Sequence, residues 1–420
     1  MRAEEIERLR SQTPGLATAS TAKKLIHFDN AGCSLPTACT LNTVTEYLQN
    51  EAFEGGYTTV DNAHEALEVT PYRTLATLLH CDPDEIAIVT SATEAWQQII
   101  YGLAASTPWK PGDRLLTSVC EYGSNYIAYL QLQKRYGIVI EVIPENEQED
   151  VDIDALRALL LQNDNVVLVS INHIPTSSGR VYNIEAVGTV VQQYRQRCPP
   201  PVFFLVDACQ SVGQMPVDVH KAWCDFLTGT GRKYLRGPRG TGFLYCARRC
   251  FGAFEPATLD NTGATWVSLN EYKLKPSARR FERYEMCFAA KAGLGVAVQQ
   301  VLDIGIERIW ERIRYLGALL RQKIAAIQHS SVTVQDKGAS LCGIVTFTST
   351  TMHADALRQA LGSKEHKINV TVSRSASSRI DFERRGLQAV VRASVHYYNT
   401  EEEIERFCGV VSTILAAPHV

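Results

Sequence analysis

From about residue 84 to residue 247, short apolar runs alternate with longer stretches whose apolar positions recur at helical spacing. The runs DEIAIVT (from Asp84), DRLLTSV (from Asp113), IVIEVI (from Ile138), NVVLVSI (from Asn165), VFFLVDA (from Val202) and GFLYCA (from Gly242) predict strands. They do not alternate strictly with polar residues, which predicts strands buried on both faces. Between them, EAWQQIIYGLA, NYIAYLQLQKRYG and DIDALRALLLQ predict helices. This is the pattern of an α/β unit, a mostly parallel sheet with helices on its faces.

After about residue 285 the texture changes. A long helical run, GLGVAVQQVLDIGIERIWERIRYLGALLRQKIAAI, precedes strand candidates SLCGIVTFTS and AVVRASVH and a final helix EEEIERFCGVVSTIL. These predict a smaller α+β module. No repeat or low-complexity linker marks the boundary. The division this suggests is an N-terminal segment over 1–45, a large unit over 46–284 and a small unit over 285–420.

A chain of 420 residues, 45% hydrophobic, is long enough for one large core and a second, smaller one. A formal net charge of -3 argues against nucleic acid or an anionic membrane as partner. The opening MRAEEIERLRSQTPGLATAS lacks the apolar core of a signal peptide, and no stretch reaches about 18 uninterrupted apolar residues, so the expectation is a cytoplasmic protein. The twelve cysteines are scattered, several in apolar runs, as reduced packed thiols would be. Cys246 and Cys250 lie close together but have no second pair or nearby histidine, so no metal site is expected.

In an open α/β sheet, ligands bind beyond the carboxyl ends of the strands, which directs attention to the polar residues that follow each apolar run. Four places stand out. Thr90-Ser91-Ala92-Thr93-Glu94 joins a strand to a helix start, where free N–H groups favour a phosphate; ordinary capping by Ser91 or Thr93 is the alternative. Asp207 ends VFFLVDA, and a carboxylate there requires a cation or several hydrogen bonds. A protonated pyridine nitrogen is one such cation, and a salt bridge or a turn cap serves equally well. The segment Thr228-Gly229-Thr230-Gly231-Arg232-Lys233-Tyr234-Leu235-Arg236-Gly237-Pro238-Arg239-Gly240 combines glycines for close backbone approach, hydroxyls and arginines for phosphate, and a lysine able to act as nucleophile. A basic surface loop is its bland reading, which leaves the glycines and flanking apolar runs unexplained. Arg392, within VVRASVHYYNT, is either a clamp for a substrate carboxylate or an edge-strand charge.

The ordered set SATEA, EYGSNYI, VDACQSVGQMPVDV and TGRKYLRGPRGTGF, with Phe28-Asp29-Asn30-Ala31-Gly32 before it and Arg392 after it, resembles the class V aminotransferase and cysteine desulfurase family. That family consists of fold-type I enzymes dependent on pyridoxal 5'-phosphate (PLP). The resemblance implies a fold-type I PLP-dependent transferase, its large unit binding the cofactor and residues 1–45 packing near the active site and the small unit. Lys233 would carry the cofactor as a Schiff base, its pKa lowered by burial and by Arg232. Asp207 would partner the ring nitrogen, and Gln210 and Thr176 would lie near the ring oxygen. Ala92, Thr93, Thr230 and Arg232 would hold the phosphate, with Tyr122 stacked on the ring. Asn30 and Arg392 would hold the substrate carboxylate.

Desulfurases of the family carry a mobile cysteine shortly before that arginine, where this chain reads Thr371-Val372-Ser373-Arg374-Ser375-Ala376-Ser377-Ser378-Arg379-Ile380-Asp381. A protein-bound persulfide is therefore not expected. HIPTSSG, GRKYLRGPRGTGF and RASVHYYNTEEEI are most similar to the carbon–sulfur lyases of ergothioneine biosynthesis, which act on a cysteine sulfoxide conjugate of hercynine. The implied reaction is β-elimination from a small amino-acid substrate, leaving pyruvate and ammonia beside the released sulfur compound. A class V aminotransferase, an amino-acid epimerase, and a catalytically inactive PLP-fold binding protein are the alternatives. A nicotinamide dehydrogenase would need a glycine-rich turn where the chain reads TSATEA. His64 and His173 are candidate contacts for an imidazole-bearing substrate, or structural hydrogen-bonders. Homodimerisation is expected, although Arg279-Arg280-Phe281-Glu282-Arg283-Tyr284-Glu285 departs from the glycine-threonine pair through which relatives reach a neighbour's cofactor.

Overall fold

A central seven-stranded sheet carries the main core of the computed structural model, which describes residues 1–17, 25–107, 109–196, 202–327 and 331–417. In chain order the strands are β1 (Ile86–Val89), β2 (Arg114–Ser118), β3 (Val139–Ile143), β4 (Val166–Asn172), β5 (Phe203–Asp207), β6 (Phe226–Thr230) and β7 (Gly242–Cys246). Their order across the sheet is β1-β7-β6-β5-β4-β2-β3. All contacts are parallel except those of β7, which runs antiparallel to both neighbours. Strands β1 and β7 are buried along their whole length, as their unbroken apolar sequences require.

Six of these strands coincide with the apolar runs. The seventh, β6, lies outside the predicted strands and runs into the glycine-rich segment that begins at Thr228. Its Gly229 is a packing requirement: a Cβ there would meet Cζ of Phe243, on the neighbouring β7, at 2.1 Å.

The smaller sheet is antiparallel and contains β8 (Val332–Val334), β9 (Ile344–Ser349), β10 (Thr371–Arg374) and β11 (Ala389–Ser394), ordered β8-β9-β11-β10. Its core includes Phe347, Leu316, Leu320, Phe407 and Val411, together with Ile26 and Phe28 from the other end of the chain. Those two arrive because Ile26 and His27 pair in parallel with Ile368 and Asn369.

The long helical run after residue 285 breaks at Gly305 into helices Phe288–Ile304 and Ile306–Ala325. Leu294, Val298, Val301, Ile306, Ile309 and Ile313 belong to the main core, whereas Leu316, Leu320 and Ile324 belong to the smaller one. The proposed boundary between the two units therefore moves from 285 into the second helix, which serves both cores. An apolar stripe continuous along a helix carries no mark of where its partner changes.

The segment that departed from the family pattern is used locally. Arg279 lies over the Tyr72 ring, 3.7 Å from its centroid, and Glu282 accepts hydrogen bonds from Tyr72 Oη and Ile88 N, both at 2.8 Å. No helix among the described residues is long and apolar enough to cross a membrane.

Candidate active site

The carboxyl ends of the parallel strands align: Asn172 of β4 stands opposite Asp207 of β5, and Asp207 opposite Thr228 of β6. Just beyond them lies a cavity of about 260 Å³. Ala92, Thr93, Tyr122, Thr176, Asp207, Gln210, Thr230, Arg232 and Lys233, nine of the eleven candidates, all line it. An adjoining cavity of about 330 Å³ is walled by Ala31, Gly32, Arg392 and the segment Thr371–Ser377, and it shares Tyr122, Thr176, Arg232 and Lys233 with the first.

At the start of helix Ala92–Ser106, Ser91 Oγ accepts from Glu94 N at 3.1 Å, so the capping interaction is present. It leaves the N–H groups of Ala92 and Thr93 without a protein partner among the described residues, and these remain available to an anion. On the opposite wall, Thr230 Oγ1 donates to Thr241 O at 3.2 Å and Arg232 donates to Gly32 O.

Asp207 accepts from Cys209 N (2.9 Å) and Asn125 Nδ2 (3.1 Å) and has no ion-pair partner among the described residues. The turn cap is thus real, and the carboxylate still lacks a cation. The Nζ of Lys233, half-buried at the cavity wall, likewise has no hydrogen-bond or ion-pair partner among the described residues. Burial holds its amine below the ordinary lysine range; Arg232 and Arg392 add to the depression, while Cys209 and Asp207 oppose it.

Gln210 Nε2 donates to Thr176 Oγ1 at 3.1 Å, but its Oε1 is buried with no partner, as is Oδ1 of Asn172. A carboxylate without a cation, an unpartnered amine and unpartnered buried amide oxygens around one hollow are groups that a pyridine ring with a phosphate arm would satisfy. The residues therefore fit PLP: Lys233 to bond its aldehyde, Asp207 to face its ring nitrogen, Tyr122 to cover the ring, and Ala92, Thr93, Thr230 and Arg232 to hold its phosphate.

Arg392 is 6% exposed. One of its terminal nitrogens donates to Thr176 O (3.0 Å) and Oγ1 (2.8 Å), the other pairs with Asp29 Oδ1 (3.2 Å), and Nε has no partner. Asn30 requires a correction. Its amide nitrogen donates to His27 O, Ser394 O and Asn399 Oδ1, its oxygen accepts from Tyr398 Oη, and the residue is fully buried outside both cavities. The side chain is consumed in joining the chain's two ends, so it is not free to hold a substrate carboxylate; its neighbours Ala31 and Gly32 line the second cavity instead. His173 is buried, held neutral with its pKa lowered to about 4 by burial, and His64 is exposed; neither lines the cavities.

Four residues at or behind the site were not singled out from the sequence: Glu121 and Asn125 behind Asp207, Asp29 beside Arg392, and Asn172 at the end of β4. Glu121 and Asn125 lie inside the matched EYGSNYI motif and Asp29 next to Asn30, which was the available signal. The position of Asn172 immediately after an apolar run was another.

The family model for class V aminotransferases matches residues 26–407. A probable cysteine desulfurase of Xylella fastidiosa (strain 9a5c) is 31% identical over 411 residues, covering 96% of this chain and 94% of that protein. One from Pyrococcus abyssi is 28% identical over 399 residues, covering 94% and 95%. Among solved structures, the apo cysteine desulfurase of Thermococcus onnurineus NA1 superposes with a TM-score of 0.86 at 25% identity, covering 99% of this chain and 98% of that one. The cystine C-S lyase C-DES, in complex with its reaction product cysteine persulfide, shares the fold with a TM-score of 0.81 at 24% identity, covering 96% and 99%. With the match spanning both sheets and the cavity between them, the chain belongs to the class V aminotransferase family of PLP-dependent enzymes, among the cysteine desulfurase-like members.

Proposed function

We propose that the protein is a carbon–sulfur lyase that performs β-elimination on a cysteine S-conjugate. The observation that carries this reading is the composition of the substrate-side wall. The segment Thr371–Asp381, which lines the second cavity with Ser373, Arg374, Ala376 and Ser377, contains no cysteine. It is packed in place as well: a Cβ on Gly123, the residue after Tyr122, would meet Ala376 O at 2.3 Å. The cysteine that does line the inner cavity, Cys209, has its thiol pushed up by burial and by the Asp207 charge, opposite to what a sulfur-accepting thiolate requires. Sulfur then leaves as part of a small molecule, whereas the relatives named desulfurases are the runner-up for this chain's activity.

When bound, PLP supplies the electron sink that stabilises charge at the substrate α-carbon. Arg392 binds and orients the substrate carboxylate through its unpartnered Nε and the guanidinium edge held by Thr176 and Asp29. Lys233 Nζ, whose pKa burial lowers, would take the proton from the α-carbon. Asp207 would face the ring nitrogen, and Tyr122 would shield the ring face from water. Within this reading, the substrate we favour is the hercynyl cysteine sulfoxide of ergothioneine biosynthesis, because of the HIPTSSG, GRKYLRGPRGTGF and RASVHYYNTEEEI likenesses. We also read the protein as a cytoplasmic homodimer.

The test supplies purified protein with cysteine S-conjugate sulfoxides and measures pyruvate and ammonia. Pyruvate release without sulfur on the protein supports the lyase. Alanine formed from free cysteine, with the sulfur left as a persulfide on the protein, moves the assignment to a desulfurase, and amino transfer to a keto acid moves it to an aminotransferase. Lys233→Ala should abolish the visible absorbance of the cofactor-loaded enzyme; survival of that band would remove Lys233 from its role.

A further inference from the structure

Behind Asp207 stands a second carboxyl group, that of Glu121, 2% exposed, in the loop between β2 and helix Gly123–Tyr136. One amide joins the two: Asn125 Nδ2 donates to Glu121 Oε1 at 3.0 Å and to Asp207 Oδ2 at 3.1 Å. Glu121 Oε1 also accepts from Tyr122 N at 2.6 Å, so the same carboxyl fixes the backbone of the residue assigned to cover the ring. Its Oε2 accepts from Thr117 Oγ1 of β2 at 2.7 Å and lies 3.0 Å from Tyr129 Oη, which in turn is 2.6 Å from Ser170 Oγ of β4.

The titratable groups that face Glu121 are Tyr129 from the helix and Asp207 from β5; Thr117, Asn125 and Ser170 are neutral. No lysine, arginine or histidine among the described residues forms an ion pair with it. Two ionised carboxylates linked by one amide, with no cation behind them, is an arrangement that favours a single shared charge. The hydrogen-bond pattern accommodates the neutral form without an orphaned group, because Oε2–H can donate to Tyr129 Oη while Tyr129 donates to Ser170 Oγ.

We propose that Glu121 is a positioning residue that holds the proton of the Glu121–Asn125–Asp207 unit, so that the negative charge rests on Asp207, the oxygen pair facing the cofactor ring. The division is directional: Glu121 is enclosed by β2, β4 and the helix, whereas Asp207 opens onto the cavity. Consistent with this, burial raises the Glu121 carboxyl to about 7, Thr117 opposes that rise and the Asp207 charge adds to it. The proposal rests on Asp207 facing the ring nitrogen, but not on which bond the enzyme breaks.

The test is infrared spectroscopy of the full-length, PLP-loaded protein with heavy-isotope glutamate carboxyls, titrated from pH 5 to 9. Wild type should show a protonated glutamate carboxyl band that fades through the neutral range and is missing in Glu121→Gln. At pH 6, where Glu121 is already neutral, Glu121→Gln should bind PLP within about threefold of wild type. Should that variant fail to fold, Thr117→Val, which removes a donor to the ionised form, should move the band's titration to higher pH. A band unchanged in Glu121→Gln, a titration unmoved by Thr117→Val, or a more than tenfold loss of PLP affinity in Glu121→Gln at pH 6 would overturn the assignment. Failure of the lyase reading would leave these spectra unaltered, so the two can fail separately.

Discussion

Replacing Arg180 by methionine removes one charge from the buried centre of an ionic cluster and leaves the side chain's apolar stem. Arg180 is 1% exposed. Its Nη1 lies 2.5 Å from Glu145 Oε1 and its Nη2 3.7 Å from Asp381 Oδ1, and the Nη2 group also pairs with Glu149. Arg384 pairs with Glu145, and Arg385 Nη1 lies 3.0 Å from Asp381 Oδ2. Three guanidiniums therefore face three carboxylates, and Arg180→Met leaves a surplus negative charge among side chains such as Glu145 and Asp381, which are 2% and 0% exposed. Breaking a buried pair on one side costs about 3–5 kcal/mol. The loss should be read by urea unfolding near pH 8 with two probes, because a chain with two cores need not unfold in one step. Arg180→Met combined with Glu145→Gln restores two against two and should be more stable than Arg180→Met alone. If the double variant instead loses the sum of the two single losses, the cluster is not coupled by charge and the reasoning fails.

Three further outcomes follow from the geometry. Gly123→Ala puts a Cβ against Ala376 O and should push the segment Ser375–Ser377 away from residue 123, raising KM for the S-conjugate severalfold while the cofactor absorbance persists; an unchanged KM would show that this wall does not touch substrate. Arg392→Lys keeps the charge but loses the fork, which removes about 1.5–3 kcal/mol of carboxylate recognition, a fall of roughly 10- to 150-fold in kcat/KM without loss of bound PLP. A fall confined to PLP content would place Arg392 on the cofactor instead. Gly229→Ala drives a methyl into the Phe243 ring and should cost about 1–3 kcal/mol, part of which Phe243→Leu restores; stability equal to wild type would mean that β6 and β7 separate easily.

What could be read from the sequence follows from how each feature is held. The buried strands were visible because a central strand must be apolar on both faces, and their ends located Asp207 and the Thr90–Glu94 turn without knowledge of the pairing. Strand β6 was hidden because Gly229 and its flanking threonines carry turn chemistry, and only the position of Phe243 across the ladder gives the glycine its meaning. Short β10 and the exposed hairpin Ala264–Ser268 and Glu271–Leu274 have too little burial to impose a period. Asn30 was misplaced for a related reason: an asparagine near the site looks alike whether it meets a ligand or, as here, Ser394 and Asn399. Polar pairings across such distances, Asp29 with Arg392 and Asn125 with Asp207 among them, leave no periodic trace.

The seam at Asn30 also bears on the order in which the protein comes into being. Asn30 meets Ser394 and Asn399, Arg10 meets Tyr398 and Glu403, and Ile26 pairs with Ile368. On a ribosome making about 5–20 residues per second, the first of these segments waits roughly 20–70 s for its partners. Until then the floor of the site, with Lys233 and Asp207 on the central sheet, can form while the wall bearing Arg392 cannot. A nascent chain halted shortly after β7 would hold the cofactor-facing residues of one sheet and no means of gripping a substrate. Synthesis therefore assembles the cofactor side of the pocket before its substrate side, and the segments from Ile368 onward complete the site by capturing those between Arg10 and Asn30.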